Sequence, residues 1–449
     1  MNDPQNELLP EPATSTIDAK QTSIGSVFVS NYPPYFFWKA EYLDSAMRAL
    51  HSRPLPEAWL GLYVHVPFCR KRCKFCYFRV YTEKNNQEVQ AYLDALSKEV
   101  ALYSRFPAVT GRRLKFVYFG GGTPSFLSAR DLRALARDLK RSIPWNGTEE
   151  ITFECEPGTL TKAKLEAIQE IGVTRLSLGI ENFNDWILEE NGRAHHSKEI
   201  SRVMPWIREM QFEQLNVDLI AGMVGESWET WRDSVQKTID LDADSVTIYQ
   251  MELPFNTVFS DELGRGALRI PLADWETKRD WHNYAFEQLA AAGYKVSSAY
   301  TMVKKEKDSH FVYRDSVWRG SDMIGAGVAS FSHMNGVHFQ NVAGWNEYLE
   351  MLDSHKLPLQ RAFPASGKER LTREMILQFK LGEIDAAYFQ EKFSTNIVEE
   401  FSSAFQRLAS QGYLTIRGGR IRLTQKGLLR VDQLLPEFYA TEYRNARYT

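Results

Sequence analysis

Cysteine is scarce in this sequence, and long apolar runs are missing. Only 4 of the 449 residues are cysteine, which excludes the cysteine-dense framework of small secreted domains. No run of about 18 apolar residues occurs, so no transmembrane helix is expected. The N-terminal stretch is polar and has neither the apolar core of a signal peptide nor the Arg-rich face of a transit peptide. We therefore expect a cytoplasmic protein with no membrane partner.

A strong net charge of either sign is also missing. The sequence has 54 Lys and Arg against 57 Asp and Glu, a formal net charge of −3. Such a balance provides no bulk attraction to nucleic acid, so no nucleic-acid partner is expected. A hydrophobic fraction of 43% and a charged fraction of 25% are typical of a globular protein, and 449 residues suggest two or three domains.

Short apolar runs alternate with amphipathic stretches from residue 59 onward, which predicts an α/β fold. Six strand–helix units predict a parallel sheet with right-handed crossovers. Because a closed barrel of this kind needs about eight units, we expect a partial (β/α)6 barrel. The predicted strands are Leu60–Val66, Leu114–Phe119, Glu150–Glu154, Arg175–Ile180, Leu215–Ile220 and Ser245–Met251. The predicted helices lie near 86–105, 128–141, 161–171, 183–190, 197–210 and 227–241.

The chain divides into four predicted parts. Residues 1–25 are a mobile tail, and 26–58 form an N-terminal extension whose clustered aromatic residues should pack on the barrel. Residues 59–365 form the barrel and a further strand–helix region, with a helix at Asp274–Ala291 and a strand at Tyr294–Ala299. Residues 366–449 have helices near 370–381 and 395–411, a hairpin at Gly418-Gly419 and a helix from Gln425, which predicts a small winged-helix-like α+β module.

Three of the four cysteines lie in one segment, Cys69-x-x-x-Cys73-x-x-Cys76. Thiolates are the ligands of iron–sulfur clusters, and three on one loop can hold a four-iron cluster with one iron open to a small molecule. The residues alone leave two other uses: a structural zinc site with His65 as fourth ligand, or disulfides. No second Cys/His pair follows at zinc spacing, and nothing indicates an oxidising compartment, so the cluster is favoured.

Glycines and polar residues gather where the predicted strands end. In parallel sheets of this kind, ligands bind beyond the carboxyl ends of the strands. Because these features fall on one rim, a single active site is predicted there. In chain order they are the cysteine segment, Gly120-Gly121-Gly122-Thr123-Pro124, Glu154, Glu156, Glu181, Asn182, Asp218, Tyr249, Gln250 and Glu252.

The cysteine segment, with Tyr63–Phe68 before it and Lys74–Phe78 after it, resembles the cluster loop of the radical S-adenosylmethionine (SAM) superfamily. Within that superfamily it is most similar to the oxygen-independent coproporphyrinogen III oxidase family. The resemblance continues through Trp318–Gly327 and Phe331–His333 into the C-terminal module. It implies a [4Fe-4S] cluster on Cys69, Cys73 and Cys76 together with one or two SAM molecules. It also implies reductive cleavage of SAM to a 5′-deoxyadenosyl radical that abstracts a substrate hydrogen.

The resemblance also assigns residues to SAM. Gly120, Gly121 and Gly122, with Thr123, match the stretch that holds the SAM amino group. The other matching positions are Tyr63, Phe75, Glu154, Glu181, Arg193 and Asp218, of which Arg193 would pair with the SAM carboxylate and Asp218 would lie near its ribose. Cys155 matches no cluster ligand and is expected to be a small buried residue.

Two positions depart from the family pattern. Glu181 stands where the family usually has glutamine, and Phe78 stands where coproporphyrinogen oxidases tend to have a fourth cysteine. The leading hypothesis is oxidative decarboxylation of the propionates of a tetrapyrrole. The alternatives are a two-SAM radical C-methyltransferase or cyclopropanase, which the two departures favour, and a haem-binding chaperone.

Five basic residues surround the cysteines: Arg70, Lys71, Arg72, Lys74 and Arg79. Positive charge around a buried cluster favours the docking of an acidic electron donor. The expected partner is a reductase such as flavodoxin or ferredoxin.

Overall fold

The structure, a computed structural model, describes residues 28–55, 58–254, 256–270, 272–307 and 309–444. The predicted mobile tail, residues 1–25, lies outside the described residues. The described chain begins with a segment that contains short 3-10 turns at Tyr35–Phe37 and Ala40–Tyr42 and ends in helix α1 (Leu43–His51).

All six predicted strand–helix units are present. The strands are β1 (Leu60–Val66), β2 (Leu114–Gly121), β3 (Glu150–Cys155), β4 (Arg175–Glu181), β5 (Gln214–Ala221) and β6 (Ser245–Gln250). The helices are α2 (Asn86–Tyr103), α3 (Ala129–Ser142), α4 (Lys162–Glu170), α5 (Asp185–Glu190), α6 (Ser197–Met210) and α7 (Trp228–Asp240). Each strand pairs in parallel with the next, so the predicted arrangement is confirmed.

The sheet extends beyond these six strands on both sides. The added elements are α8 (Val258–Gly264), α9 (Trp275–Ala291), β7 (Tyr294–Val296), β8 (Thr301–Lys304), α10 (Val312–Trp318), β9 (Asp322–Ala326), β10 (Phe331–Met334), β11 (Val337–Asn341), α11 (Trp345–Asp353) and β12 (Leu359–Pro364). The strand order is β12-β11-β10-β9-β1-β2-β3-β4-β5-β6-β8-β7. Strand β9 pairs in parallel with β1, whereas β10–β12 and β7–β8 add antiparallel edges. The result is an open, partial barrel. The strands β9–β12, which continue the sheet beyond β1, and helix α11 are called the extended flank here.

The predicted strand Tyr294–Ala299 is wrong in its second half. Strand β7 ends at Val296 because the backbone N–H groups of Ser297 and Ser298 both donate to the carbonyl of Thr301, which turns the chain back into β8. The N–H of Ala299 leaves the sheet and donates to the carbonyl of Lys380 at 2.7 Å. A turn therefore divides a run that looked continuous by hydrophobicity alone.

Side-chain caps fix where the barrel helices begin. The side chain of Asn85 accepts from the backbone N–H groups of Gln87 and Glu88, and Glu88 returns a bond to Asn85, which forms a capping box. Ser128 and Ser227 cap α3 and α7 through hydroxyl groups that accept from the backbone N–H groups of Asp131 and Thr230.

None of the helices in the described ranges combines the length and apolar composition that a membrane crossing requires.

The C-terminal residues form a small sheet with helices around it. Its elements are α12 (Gly367–Phe379), β13 (Glu383–Asp385), α13 (Ala386–Phe393), α14 (Ile397–Glu400), α15 (Ser402–Ser410), β14 (Leu414–Arg417), β15 (Arg420–Leu423), α16 (Gln425–Leu428) and α17 (Val431–Leu434). The predicted hairpin is present, and Gly418 and Gly419 take φ values of 56° and 79° in its turn. The predicted helix at 395–411 is interrupted at Phe401, and the one from Gln425 spans a single turn.

The N-terminal segment lies between the barrel and this C-terminal module. The backbone N–H of Val29 donates to Asp432 at 3.0 Å, and Lys380 donates to the carbonyl of Val29 at 2.6 Å. Lys39 forms a backbone bridge with Ala362 of β12. These contacts join the segment to both parts, whereas the packing of its aromatic residues on the barrel and the domain boundaries drawn from the sequence stay predictions.

A buried carboxyl group, Glu99 of α2, ties the extended flank to the barrel. It accepts hydrogen bonds from the N–H of Gly327 at 2.8 Å, the amide of Asn341 at 2.6 Å and the hydroxyl of Tyr348 at 2.6 Å. Burial raises the pKa of Glu99 to about 7, although the three donors favour its ionised form. One side chain therefore joins α2, the turn after β9, β11 and α11.

We predict a pH-dependent difference in stability between the wild type and Glu99→Gln. The pKa of Glu99 rises from 4.5 to about 7 on folding, so its contribution is fully present below pH 4.5 and is lost as the pH rises through 7. The free energy of unfolding of the wild type relative to the variant should therefore fall by up to roughly 3 kcal/mol across that window. Denaturant titrations at a series of pH values measure it.

The matched control is Asp94→Asn, which changes an exposed carboxyl group on the same helix. Its stability relative to the wild type should stay level across the same pH window. A level difference for Glu99→Gln as well would contradict the assigned pKa of Glu99.

Candidate active site

A cavity of about 1120 Å³ lies at the carboxyl ends of the barrel strands. It is lined by the cysteine loop, by β1–β6, by the extended flank, by the N-terminal segment and by the C-terminal module. Cavities for one small molecule are usually about 300–1,000 Å³, so this one has room for more than a single ligand. The site residues predicted from the sequence that line it are Tyr63, Cys69, Cys73, Phe75, Cys76, Gly121, Gly122, Thr123, Glu154, Glu181, Arg193 and Asp218.

The cysteine loop, residues 67–81, is fixed to neighbouring elements by polar contacts. The N–H of Lys74 donates to the carbonyl of Asn191 at 3.0 Å, and its ammonium group pairs with Glu190 at 3.0 Å. The guanidinium of Arg70 pairs with Glu156, just after β3, at 3.1 Å. The loop is thereby attached to α5 and to the end of β3.

These contacts involve basic residues that the sequence analysis expected to help an acidic electron donor dock. Arg70 and Lys74 form ion pairs, and Arg72 donates to the carbonyls of Cys76 and Asn256 at 3.2 Å each. Lys71 is exposed, and the guanidinium of Arg79 lies 5.9 Å from the ring of Tyr81. Part of the positive charge around the cysteines therefore holds the loop in place.

All three loop thiols are free and face the same cavity. The sulfur of Cys69 lies 3.3 Å from the hydroxyl of Thr123, and a guanidinium nitrogen of Arg193 lies 3.5 Å from the sulfur of Cys73. Burial raises the pKa of Cys69 to about 11 and that of Cys76 to about 12. Such thiols stay protonated unless a bound metal supplies positive charge, and the three-sulfur donor set fits an iron–sulfur cluster.

The two other uses of the cysteines find no support. No cysteine is in a disulfide, and no group of three or more side chains in the described part of the chain is arranged to hold a single metal ion. His65 lies instead beneath the glycine turn, where a Cβ on Gly121 would come within 2.4 Å of its ring. A zinc site made from the cysteines and His65 is therefore not indicated.

The glycine turn after β2 lets the backbone approach the base of the cysteine loop. Gly121 has a φ of 115°, which favours glycine, and a Cβ on Gly122 would lie 2.8 Å from the carbonyl carbon of Pro67. Gly120, which does not line the cavity, leaves space for the hydroxyl of Tyr63 and the carboxyl group of Glu154. A larger residue at any of these positions would displace the loop or the residues beside it.

Glu154 and Asp218 are half-buried carboxyl groups on the cavity wall. Glu154 accepts from the hydroxyl of Tyr118 at 2.6 Å and from the N–H of Gly121 at 3.3 Å. Asp218 accepts from Ser177 and Asn216 at 2.9 Å each. Burial raises the pKa of both groups, with that of Glu154 at about 7, and the charge of Asp218 adds to the shift at Glu154. The arrangement suits a ligand that is cationic or rich in hydrogen-bond donors.

Glu181 and Arg193 face each other across the rim. Glu181 has a φ of 65° and lies at an irregularity in the β4–β5 pairing. Its carboxyl oxygen is 3.6 Å from Arg193, which also donates to the carbonyl of Gly179 at 2.7 Å. Burial raises the pKa of Glu181 to about 7, although the charge of Arg193 opposes the rise. Arg193 thus lies between this carboxyl group and the thiol of Cys73.

Sequence reasoning missed two groups of cavity residues. One is a set of polar side chains on the inner faces of β4–β6, for which the signal was present as polar residues at alternate strand positions: Ser177, Asn216 and Thr247. The other group, His333, His338, Arg361 and Arg373, comes from the extended flank and α12. The sequence assigns no individual role to either histidine, and neither arginine belongs to a local motif.

Comparisons with known proteins agree with this geometry. Residues 63–238 match the family model of the radical SAM superfamily, and residues 365–430 match that of the HemN C-terminal domain. Over residues 63–238 the chain therefore resembles the radical SAM superfamily, and with its C-terminal match it resembles the coproporphyrinogen oxidase branch of that superfamily. Its cofactors are accordingly a [4Fe-4S] cluster and SAM.

Individual relatives carry two kinds of name. A heme chaperone HemW from Bacillus subtilis (strain 168) is 28% identical over 84% of this chain and 98% of its own length. An oxygen-independent coproporphyrinogen III oxidase from Synechocystis is 26% identical over 91% of each chain. The solved structure of coproporphyrinogen III oxidase (HemN) from Escherichia coli, a radical SAM enzyme, matches with a TM-score of 0.78 and 22% identity over 91% of this chain and 96% of that one. At that identity the structural match concerns the fold.

We predict that Cys69→Ala, Cys73→Ala and Cys76→Ala each abolish assembly of the cluster. Three thiolates are needed to hold it, and no other cysteine in the loop can substitute. Iron and sulfide content after anaerobic reconstitution measures the loss. The control is Cys155→Ala, which removes a thiol that is 4% exposed on β3 and should leave the cluster in place. Cluster loss in the Cys155 variant would overturn the ligand assignment.

Proposed function

We propose that this radical SAM enzyme acts on a tetrapyrrole, with oxidative decarboxylation of propionate side chains as the leading reaction. The observation that carries the proposal is the continuity of the cavity, which extends from the three thiols past the SAM residues to aromatic and arginine side chains of the extended flank. The relatives named above are a heme chaperone and coproporphyrinogen III oxidases, so both names concern tetrapyrroles.

The chain's residues would act by binding and orientation. When bound, the cluster supplies the electron that cleaves SAM to methionine and a 5′-deoxyadenosyl radical, and flavodoxin or ferredoxin would supply that electron to the cluster. Gly120–Gly122 and Thr123 would hold the SAM amino group, while Glu154, Glu181 and Asp218 would face its positive charge and ribose. The aromatic rings that line the cavity, among them Tyr35, Trp38 and Phe331, would exclude water from the radical.

A second candidate is methyl transfer or cyclopropanation with two SAM molecules. Its support is the cavity volume of about 1120 Å³ together with Phe78 and Glu181, which depart from the oxidase pattern. A third candidate, haem delivery with little turnover, has the names of the heme chaperone relatives in its favour. The three candidates differ in their products.

We predict that Arg193→Met weakens the binding of SAM by roughly tenfold or more while the cluster still assembles. The guanidinium lines the cavity, its Nε has no hydrogen-bond partner among the described residues, and it is the proposed partner of the SAM carboxylate. Equilibrium dialysis of SAM against the reconstituted protein measures the affinity, with iron content as the control. Unchanged affinity in a variant with full iron content would contradict this role.

Product analysis distinguishes the three candidate functions. We expect that the reduced, reconstituted protein converts SAM to 5′-deoxyadenosine and that added coproporphyrinogen III loses mass corresponding to decarboxylation. Mass spectrometry under anaerobic conditions identifies both products. S-adenosylhomocysteine beside 5′-deoxyadenosine would instead indicate methyl transfer. Tight haem binding without cleavage of SAM would favour the chaperone.

A further inference from the structure

We propose that Arg361 and Arg373 form a carboxylate-binding subsite on the β12 side of the cavity, next to an aromatic wall that holds a flat apolar body. The inference rests on the proposed function, because it deepens the substrate class of the same cavity. It predicts a substrate that joins a planar ring system to at least one short carboxylate arm.

Arg373 is a buried cation with no counter-ion. Its side chain on α12 is 5% exposed, yet it lines the cavity. Its Nε donates to the side-chain oxygen of Asn31 at 2.6 Å and its Nη1 to the carbonyl of Val317 at 3.3 Å, both of which are neutral. The adjacent Glu374 pairs instead with Lys392 at 2.8 Å. The Nη2 of Arg373 has no hydrogen-bond partner among the residues that the structure describes.

Arg361 of β12 is a second cation of the same kind. Its Nε donates to the amide oxygen of Gln340 at 2.6 Å and its Nη1 to the carbonyl of Tyr35 at 3.1 Å. Neither guanidinium forms an ion pair within the described part of the chain. Burial lowers the pKa of both arginines. Because an unpaired buried charge is costly, an anionic ligand that reaches both guanidinium groups would be stabilised by them.

Further polar atoms without partners lie on the same side. The Nδ1 of His333 lies 3.1 Å from the carbonyl of Ser321 and therefore carries the ring proton, while its Nε2 is buried without a partner. The Nε2 of His338 is also buried without a partner. Two imidazole nitrogens would suit a metal ion, but the positive charges of Arg361 and Arg373, which line the same cavity, disfavour a cation. The charge balance therefore favours an anion.

Aromatic rings enclose this region. Tyr35 lies against Phe331 with ring centroids 4.4 Å apart, and Trp38 stacks on His338 at 5.2 Å. The carbonyl of Tyr35 accepts from Arg361 and the side chain of Asn31 accepts from Arg373, so one short stretch of the N-terminal segment contacts both guanidinium groups. A flat apolar ligand can therefore contact rings while its carboxylate reaches the arginines.

The test uses two probes with the same body, pyrenebutyrate and its neutral alcohol, pyrenebutanol. The wild type should bind the carboxylate at least about tenfold more tightly than the alcohol, because charge-assisted hydrogen bonds to guanidinium exist only for the former. Arg361→Met and Arg373→Met should each reduce this preference to about threefold or less. Fluorescence titration of each probe into the protein measures both affinities.

Three further variants make the outcome specific. Arg373→Lys keeps the charge and should keep most of the preference, and Arg417→Met changes an exposed arginine of the C-terminal hairpin and should keep all of it. Because Arg373→Met removes buried hydrogen bonds, Arg361→Met, at a half-buried position, tests the subsite even if the former fails to fold. Equal affinity of both probes for the wild type, or a preference unchanged in Arg361→Met, would overturn the subsite.

The result is separable from that of the proposed function. A carboxylate preference that depends on Arg361, without turnover of coproporphyrinogen III, would support the subsite and contradict the proposed decarboxylation of a tetrapyrrole. Turnover of coproporphyrinogen III at the wild-type rate in Arg361→Met supports the reaction and overturns the subsite.

Discussion

The attachment of the cysteine loop to β3 and α5 is the constraint on which the site depends. Residues 67–81 form little regular structure, and ordering such a segment costs about 1–2 kcal/mol per residue in backbone entropy. The ion pairs of Arg70 with Glu156 and of Lys74 with Glu190 lie partly out of water, where such contacts are stronger than on an open surface. Gly192 lies so close that a Cβ there would be 3.2 Å from the backbone nitrogen of Lys74. The position of the thiols is therefore set by contacts of the neighbouring residues Arg70 and Lys74 with β3 and α5.

Charge is distributed unevenly across the cavity. Glu154, Glu181 and Asp218 lie on the barrel side, where burial raises their pKa values. Arg361 on β12 and Arg373 on α12 have no acidic partner among the residues that the structure describes. A cationic sulfonium placed near the acids and an anionic substrate placed near the arginines would each stabilise charges that are otherwise poorly solvated. The same charge pattern would direct the cationic ligand to the barrel side of the cavity and the anionic ligand to the flank side.

The barrel could be predicted from the sequence because its strands bury apolar residues, as nearly continuous runs in β1 and β2 and in alternation with polar residues in β4–β6. Strand β1 has six buried residues of seven, so hydrophobicity alone outlines it. The flank strands β10–β12 span four to six residues each and pair by hairpins, so their pattern is too short to separate from a loop. Arg361 and Arg373 reach the cavity only through tertiary packing, and no spacing in the sequence marks them.

Glu181 shows why a family pattern and a geometry must be considered together. A residue with a side chain at a φ of 65° costs about 1–3 kcal/mol, and the buried carboxyl group adds a desolvation cost. A glutamine would avoid the second cost but not the first. The carboxyl group gains the attraction of Arg193 at 3.6 Å, and the proposed placement of SAM would add that of its sulfonium. Because a cation there would favour the ionised form of a group whose pKa is about 7, ligand binding and proton release would be coupled at Glu181 in a way that a glutamine could not reproduce.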